Sequence, residues 1–130
     1  MLGTSGTYDY IGIAEIPAPT LVPDQPIDRT HLFKMTLGDQ SLESEVLRLF
    51  ERQSEMLLGR MSVAEPAKLR ALAHTLNGSA RGIGAWRVAQ AAHALEVAAT
   101  DPAQAEPAIA TLHAAIDEAV GAISVLLRTP

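Results

Sequence analysis

Apolar residues recur every three or four positions from residue 28 onward, which is the spacing that places them on one face of an α-helix. Asp28 and Asp39 each stand immediately before such a stretch, where an acidic side chain can cap the first turn of a helix. The pattern predicts a short helix that ends near Gly38 and a second helix from Asp39 to about Met61. The expected core positions of these two helices are Leu32, Phe33, Met35, Leu42, Val46, Leu49, Phe50, Gln53, Met56 and Leu57.

The third predicted helix is marked at both ends. Ser62 and Glu65 have the spacing of a capping box, and Pro66 is tolerated in a first helical turn. Gly82 and Gly84 indicate the end of this helix. Its expected core face consists of Leu69, Leu72, Ala73, Leu76, Ala80 and Ile83.

Two more helices complete the pattern. The fourth is predicted from about residue 85 to residue 99, and the fifth follows Pro102, although Pro107 suggests that its regular part begins later. Because short connections make neighbouring helices antiparallel, the predicted fold is an all-α, up-down-up-down four-helix bundle with a short extra N-terminal helix. The expected core positions of the last two helices are Val88, Ala92, Leu95, Ile109, Leu112, Ile116, Val120, Ile123 and Leu127.

Residues 1–27 have a different character. Pro17, Pro19, Pro23 and Pro26 fall within one short stretch and preclude a helix or a central strand there. We therefore predict an extended or disordered Pro-rich leader over residues 1–27 and a folded domain over residues 28–130.

Composition narrows the class of protein. The chain has 130 residues, enough for one domain, and only 4% of them are aromatic, which favours helices over strands. Its formal net charge of −5 argues against a general nucleic-acid binder, and the lack of cysteine excludes disulfides and zinc–thiolate sites. We see neither a signal peptide nor an uninterrupted apolar run of about 18 residues, so we expect a cytoplasmic protein without a membrane segment.

One face of the third helix carries the candidate chemistry. At about 100° per residue, His74 lies about 140° from Leu69 on the core face, so it should point to solvent. Gly78 follows one turn later on the same outer face, with Ala67 and Ala71 nearby. A glycine inside a helix costs roughly 1 kcal/mol relative to alanine. Small residues beside an exposed imidazole would let another protein approach it closely.

A basic rim flanks this face. Arg70, Asn77 and Arg81 fall at about 80–120° from the core direction, and residues 66–90 include four basic side chains and no Asp or Glu. Positive charge there suits an anionic phosphoryl group and an acidic partner. An imidazole in its neutral form can act as a nucleophile.

Residues 74–85, HTLNGSARGIGA, resemble the signature H-x-L-K-G-S-[AS]-x-x-x-G of the histidine phosphotransfer (HPt) domain family. In this resemblance His74 is the phosphorylated histidine, Gly78 the small residue one turn on, and Gly84 the glycine that ends the helix. The AHALE sequence at 92–96 and the segment from Leu37 to Phe50 are also similar to the family. The likeness covers about residues 28–128.

The resemblance implies a two-component phosphorelay intermediate. His74 would take a phosphoryl group from the aspartate of a response-regulator receiver domain and pass it to another receiver, with a hybrid histidine kinase as a further partner. The partner receiver would supply Mg²⁺, and the chain itself would need no cofactor. We find no nucleotide-binding Gly-rich loop, so we expect a phosphoryl carrier that does not bind ATP, and a monomer is the simpler expectation.

Asn77 is the one departure from the family signature, which usually has lysine three residues after the histidine. Asparagine can hydrogen-bond a phosphoryl oxygen but brings no charge, and we expect Arg70 or Arg81 to supply the charge instead. The alternative function is therefore a helical adaptor, a degenerate HPt domain that binds receiver or kinase domains without phosphorylation. Partner docking in either case is assigned to Ala67, Arg70, Ala71, Gly78 and Arg81, with Asn77 in the same group.

The remaining histidines lack comparable context. His113 is expected at the margin of the core. His93 is expected to be solvated, and to lie near His74 if the third and fourth helices pack together. His93 and Glu96 have a metal-ligand spacing, but no second such pair accompanies them, so we predict no metal site. Trp86 is expected to pack and to hold the end of its helix, with a contribution to partner docking as the alternative.

Overall fold

A computed structural model describes residues 25–128 of the chain, and this part is entirely helical, as predicted. The described residues form a helical bundle without a strand. The predicted leader lies outside the described residues except for 25–27, of which Ile27 is buried in the core. The helices are α1 (Arg29–Met35), α2 (Gln40–Met61), α3 (Pro66–Ile83), α4 (Trp86–Ala98) and α5 (Pro102–Arg128).

The four long helices enclose one core. The helix α3 packs against α2 and α4, and α5 also packs against α2 and α4, while the short α1 lies on α3. Each connection between consecutive helices is short. This arrangement places the outer face of α3 beside α4, where the candidate site lies.

Aspartates cap the first two helices as the sequence predicts. The Asp28 carboxylate accepts a hydrogen bond from the His31 backbone N–H at 3.1 Å, and the Asp39 carboxylate accepts one from the Leu42 backbone N–H at 3.1 Å. Each bond satisfies a backbone donor that the first helical turn would otherwise leave free.

The buried face of α2 differs from the predicted one. Phe50 and Leu57 are buried as expected. Leu42, Leu49 and Met56, which the sequence assigned to the core, are exposed by 39%, 56% and 48%. The prediction followed the richest apolar stripe, whereas the helix is rotated so that a smaller and partly polar set faces inward. The buried residues of α2 are Leu47, Phe50, Ser54, Leu57 and Met61.

In α1, too, only part of the predicted apolar face is buried. Leu32 lies in the core, but Phe33 and Met35 are exposed by 60% and 57%. Leu32 is therefore the one buried residue of this seven-residue helix.

The core face of α3 is confirmed at every predicted position. Leu69, Leu72, Ala73, Leu76, Ala80 and Ile83 are all buried. The predicted capping box is wrong, because Ser62 belongs to the end of α2 and donates its hydroxyl hydrogen to the Gly59 carbonyl at 2.9 Å. Glu65 is the N-cap residue of α3 without a capping side-chain bond, and Pro66 is the first residue of the helix.

Glycine is required at the end of α3. Gly84 has a φ of 81°, in the left-handed region that other residues avoid. A Cβ atom at this position would lie 2.9 Å from the Asp28 carbonyl oxygen. The close approach lets the Asp28 N–H donate to the Gly84 carbonyl at 2.9 Å, which fixes the start of α1 against the α3–α4 turn.

The last helix begins at Pro102, the start that the sequence marks, and it continues through Pro107 rather than becoming regular only later. The backbone carbonyl that Pro107 leaves without a helical partner belongs to Ala103, an exposed residue that water can reach. The helix α5 is long and apolar enough to cross a membrane, but length and composition alone are weak evidence for a membrane span. It also carries Glu118, whose carboxylate accepts from the Arg87 guanidinium of α4 at 2.9 Å. The fully buried positions of its core face include Leu112, Ile116, Ala119 and Ile123.

Trp86 holds α1 and α4 together, in keeping with its predicted packing role. Its indole N–H donates to the Asp28 carboxylate at 2.9 Å, and its ring centroid lies 5.0 Å from that of His31. The indole bond, followed by the His31 backbone N–H, lowers the pKa of Asp28 below its usual range, although burial opposes the shift.

Asp28→Ala should reduce the free energy of unfolding by about 2 kcal/mol, because it removes a helix cap and leaves the Trp86 N–H without its acceptor. A depressed folded-state pKa means that this stabilisation is present at neutral pH and is lost as pH falls below about 4. Urea unfolding of the wild type and of Asp28→Ala should therefore give free energies of unfolding whose difference becomes smaller below about pH 4. Asp39→Ala, which removes a cap alone, should cost only about 1 kcal/mol.

Candidate functional site

His74 stands outward from the middle of α3, as its helical phase predicts. Its side chain is 74% exposed, while the neighbouring residues Leu72, Ala73 and Leu76 are buried. The backbone that carries the imidazole is therefore held by the core, and the ring itself is open to solvent.

Glu96 of α4 orients the imidazole. Its carboxylate oxygen Oε2 lies 2.9 Å from Nδ1 of His74, and the Glu96 side chain is only 20% exposed. An ionised carboxylate can only accept hydrogen bonds, so Nδ1 must carry the hydrogen in this contact. In the neutral ring the lone pair then lies on Nε2, which receives no hydrogen bond from the described residues.

Small residues surround the imidazole on the outer face of α3. Ala67, Ala71 and Gly78 are all exposed. A Cβ atom added at Gly78 would have no neighbour within 4 Å. Packing within the bundle therefore does not explain the glycine, and the open space leaves room for a partner surface beside His74.

The three predicted polar residues of the rim have different environments. Arg70 and Arg81 are exposed, and the guanidinium carbon of Arg81 lies 6.0 Å from the centroid of the Trp86 ring. Asn77 is half-buried, and its carbonyl oxygen Oδ1 is buried without a hydrogen-bond partner. The arginines thus keep their charge at the surface, whereas one polar atom of Asn77 is turned into the bundle.

Glu96 is the site residue that sequence reasoning missed in this role. The sequence suggested it only as a weak metal ligand with His93. Its contact with His74 spans 22 positions and depends on how α3 packs against α4, which periodicity within one helix does not reveal. The similarity of the AHALE segment to the HPt family was the one signal that pointed to this turn of α4.

The other histidines do not join the site. His93 is exposed, as expected. His113 was expected at the core margin but is 60% exposed and lies 3.3 Å from Asp117 on the same helix. Among residues 25–128, no three His, Cys, Asp or Glu side chains are grouped as a metal site would require.

Comparison with known proteins gives one match. A family model described as Hpt domain matches residues 45–123, which is more than half of the chain and includes α3, α4 and most of α2 and α5. The matched segment contains both His74 and Glu96. No curated protein and no solved structure shows significant similarity to the chain.

Proposed function

Because the chain belongs to the Hpt domain family, we propose that it relays phosphoryl groups through His74, from the aspartate of one receiver domain to that of another. Hpt domains carry phosphoryl groups between signalling proteins and are not classical enzymes. The observation that carries the proposal is the exposed His74 imidazole with Nδ1 held by Glu96 at 2.9 Å. The proposed partners are receiver domains and a hybrid histidine kinase, and the proposed location is the cytoplasm.

The chemical step needs only the ring and the partner. The lone pair on Nε2 of His74 attacks the phosphorus of the aspartyl phosphate, the bond between phosphorus and the aspartate oxygen breaks, and the carboxylate leaves with the electron pair. The hydrogen stays on Nδ1, so the phosphorylated ring is cationic. The Glu96 carboxylate stabilises that positive charge, while the partner receiver supplies Mg²⁺.

The partner would dock on the outer face of α3. The small side chains at 67, 71 and 78 allow a receiver to bring its carboxylate close to His74. Arg70 and Arg81 place positive charge beside an acidic partner site. Asn77 stands where the family usually has lysine, so we assign the balancing charge to the arginines and only a hydrogen bond to Asn77.

The direct test is incubation of the full-length chain with a phosphorylated receiver domain. We expect an acid-labile, base-stable label on the chain, which is the signature of phosphohistidine. Stable binding of the receiver without label would refute the relay and support the alternative, a helical adaptor that does not become phosphorylated. If the chain neither becomes labelled nor binds the receiver, both the relay function and the adaptor function are refuted for the receivers tested.

Replacing Glu96 tests the positioning of the ring. Glu96→Ala should slow transfer by about 10-fold, since it removes a partly exposed hydrogen bond to a charged group. Glu96→Gln can still accept the Nδ1 hydrogen and should retain a faster rate than Glu96→Ala. Rapid-quench measurement gives the rates, and ¹⁵N NMR should show the hydrogen of neutral His74 moving from Nδ1 towards Nε2 in Glu96→Ala.

Glu118→Gln is the matched control for these variants, because Glu118 also forms an inter-helix ion pair but on α5. Its transfer rate and the His74 tautomer should stay at the wild-type values. Equal rates for Glu96→Ala and the wild type would show that Glu96 has no positioning role.

A further inference from the structure

The helix α2 presents an apolar stripe to solvent. Leu42, Leu49 and Met56 follow one another at intervals of seven residues and are exposed by 39%, 56% and 48%. At about 100° per residue these side chains keep nearly the same direction, about 120° away from the centre of the buried face. We call these three residues the α2 stripe.

Side chains seven residues apart form a row along one side of a helix, so this apolar row can lie along a second helix. The buried side of α2 contacts α3 and α5, and the bundle leaves each stripe residue at least 39% exposed. The helix has 22 residues and is about 33 Å long, which gives the stripe room for a helix lying alongside.

The charges beside the stripe indicate what that second helix is. Glu45 and Arg52 lie on the same flank, one on each side of Leu49 along the helix. In the described part of the chain neither forms an ion pair. Arg48 lies on the same flank but about 100° around the helix from Leu49, farther from the stripe than Glu45 and Arg52.

These positions complement a second copy of α2 in the antiparallel direction. A twofold axis close to Leu49 places Glu45 of each copy opposite Arg52 of the other, and Leu42 opposite Met56. In a parallel pair, the flank that carries Glu45 and Arg52 would instead face the opposite flank of the other copy, which carries Val46 and Gln53, so these charges would not pair. The flank therefore favours the antiparallel arrangement.

We propose that two copies of this chain associate through the α2 stripe as an antiparallel, twofold-symmetric dimer. Three partly exposed side chains form a small contact, so the association is weak and reversible. The exposed His74 lies on the side of α3 that meets Glu96 of α4, and the stripe lies on α2, so each copy keeps its His74 accessible. The sequence left the oligomeric state open, with a monomer as the simpler expectation.

Sedimentation equilibrium of the full-length chain, from about 1 µM to about 1 mM, tests the proposal. The average mass should rise with concentration from 13.8 kDa towards twice that value. Leu49→Glu should keep the chain monomeric, and circular dichroism should show that it stays folded because the side chain is exposed. Val97→Glu is the matched control, since Val97 is 71% exposed on α4 and should leave the association unchanged.

A charge exchange tests the antiparallel direction. Glu45→Arg and Arg52→Glu should each weaken association by about 10-fold, because each places like charges opposite one another in both halves of the dimer. The double variant restores opposite charges and should recover the wild-type association. A monomer at every concentration, association that survives Leu49→Glu, or a double variant no better than the singles would overturn the proposal. The measurement involves no phosphoryl group, so its failure leaves the function of His74 untouched.

Discussion

His74→Gln should abolish phosphoryl acceptance and leave the bundle folded. Glutamine has no ring nitrogen to form the N–P bond, so the loss should be complete rather than partial. The side chain is 74% exposed, and its removal deprives the core of no packing. Incubation with a labelled receiver gives the first result, and thermal unfolding should show a midpoint close to that of the wild type.

His93→Gln is the control for this substitution, because His93 is an exposed histidine on the neighbouring helix α4. It should accept the phosphoryl group as the wild type does. If the label survives in His74→Gln and disappears in His93→Gln, the site has been assigned to the wrong histidine.

Gly78→Leu should block transfer while making the helix more stable. The new side chain meets no atom of the bundle within 4 Å at its Cβ, and leucine stabilises an exposed helix interior by about 0.5–1 kcal/mol relative to glycine. A bulky group one turn from His74 keeps a partner from the ring, so the transfer rate should fall by about 100-fold or more. Transfer kinetics and urea unfolding measure the two opposite effects.

Gly121→Leu provides the matched control, since Gly121 is also an exposed helical glycine without neighbours within 4 Å, but on α5. It should gain similar stability and transfer at the wild-type rate. Equal transfer by both leucine variants would mean that the partner does not approach His74 over Gly78.

Helical phase was predictable where one stripe is clearly the most apolar. In α3 the only large apolar side chains fall on one side, so burial of Leu69, Leu72 and Leu76 and exposure of His74 followed from spacing alone. Solvent exposure of Ala67, Ala71 and Gly78 followed from the same geometry.

The phase of α2 was not predictable in this way. Apolar residues cover more than half of its circumference, and two overlapping stripes compete for the core. The inward set includes Ser54, which is fully buried and donates its hydroxyl to the Glu51 carbonyl at 3.0 Å. Because a hydroxyl satisfied within its own helix can be buried at little cost, a polar residue did not mark the solvent side.

Contacts between helices were also beyond the sequence. The pairs His74–Glu96 and Asp28–Trp86 join residues 22 and 58 positions apart. Each depends on the rotation and the height of one helix relative to another, and local periodicity carries no information on either. Helical phase and the family signature therefore identified the candidate nucleophile His74, but not the Glu96 carboxylate that lies against its ring.

The central claim is that Nε2 of His74 receives the phosphoryl group. The most direct measurement is ³¹P and ¹⁵N NMR of the full-length chain after transfer from a phosphorylated receiver. We expect a single phosphohistidine with a phosphorus–nitrogen coupling to Nε2 of His74 and with the hydrogen retained on Nδ1. A coupling to Nδ1, a phosphoryl group on another residue, or no phosphohistidine at all would contradict the account.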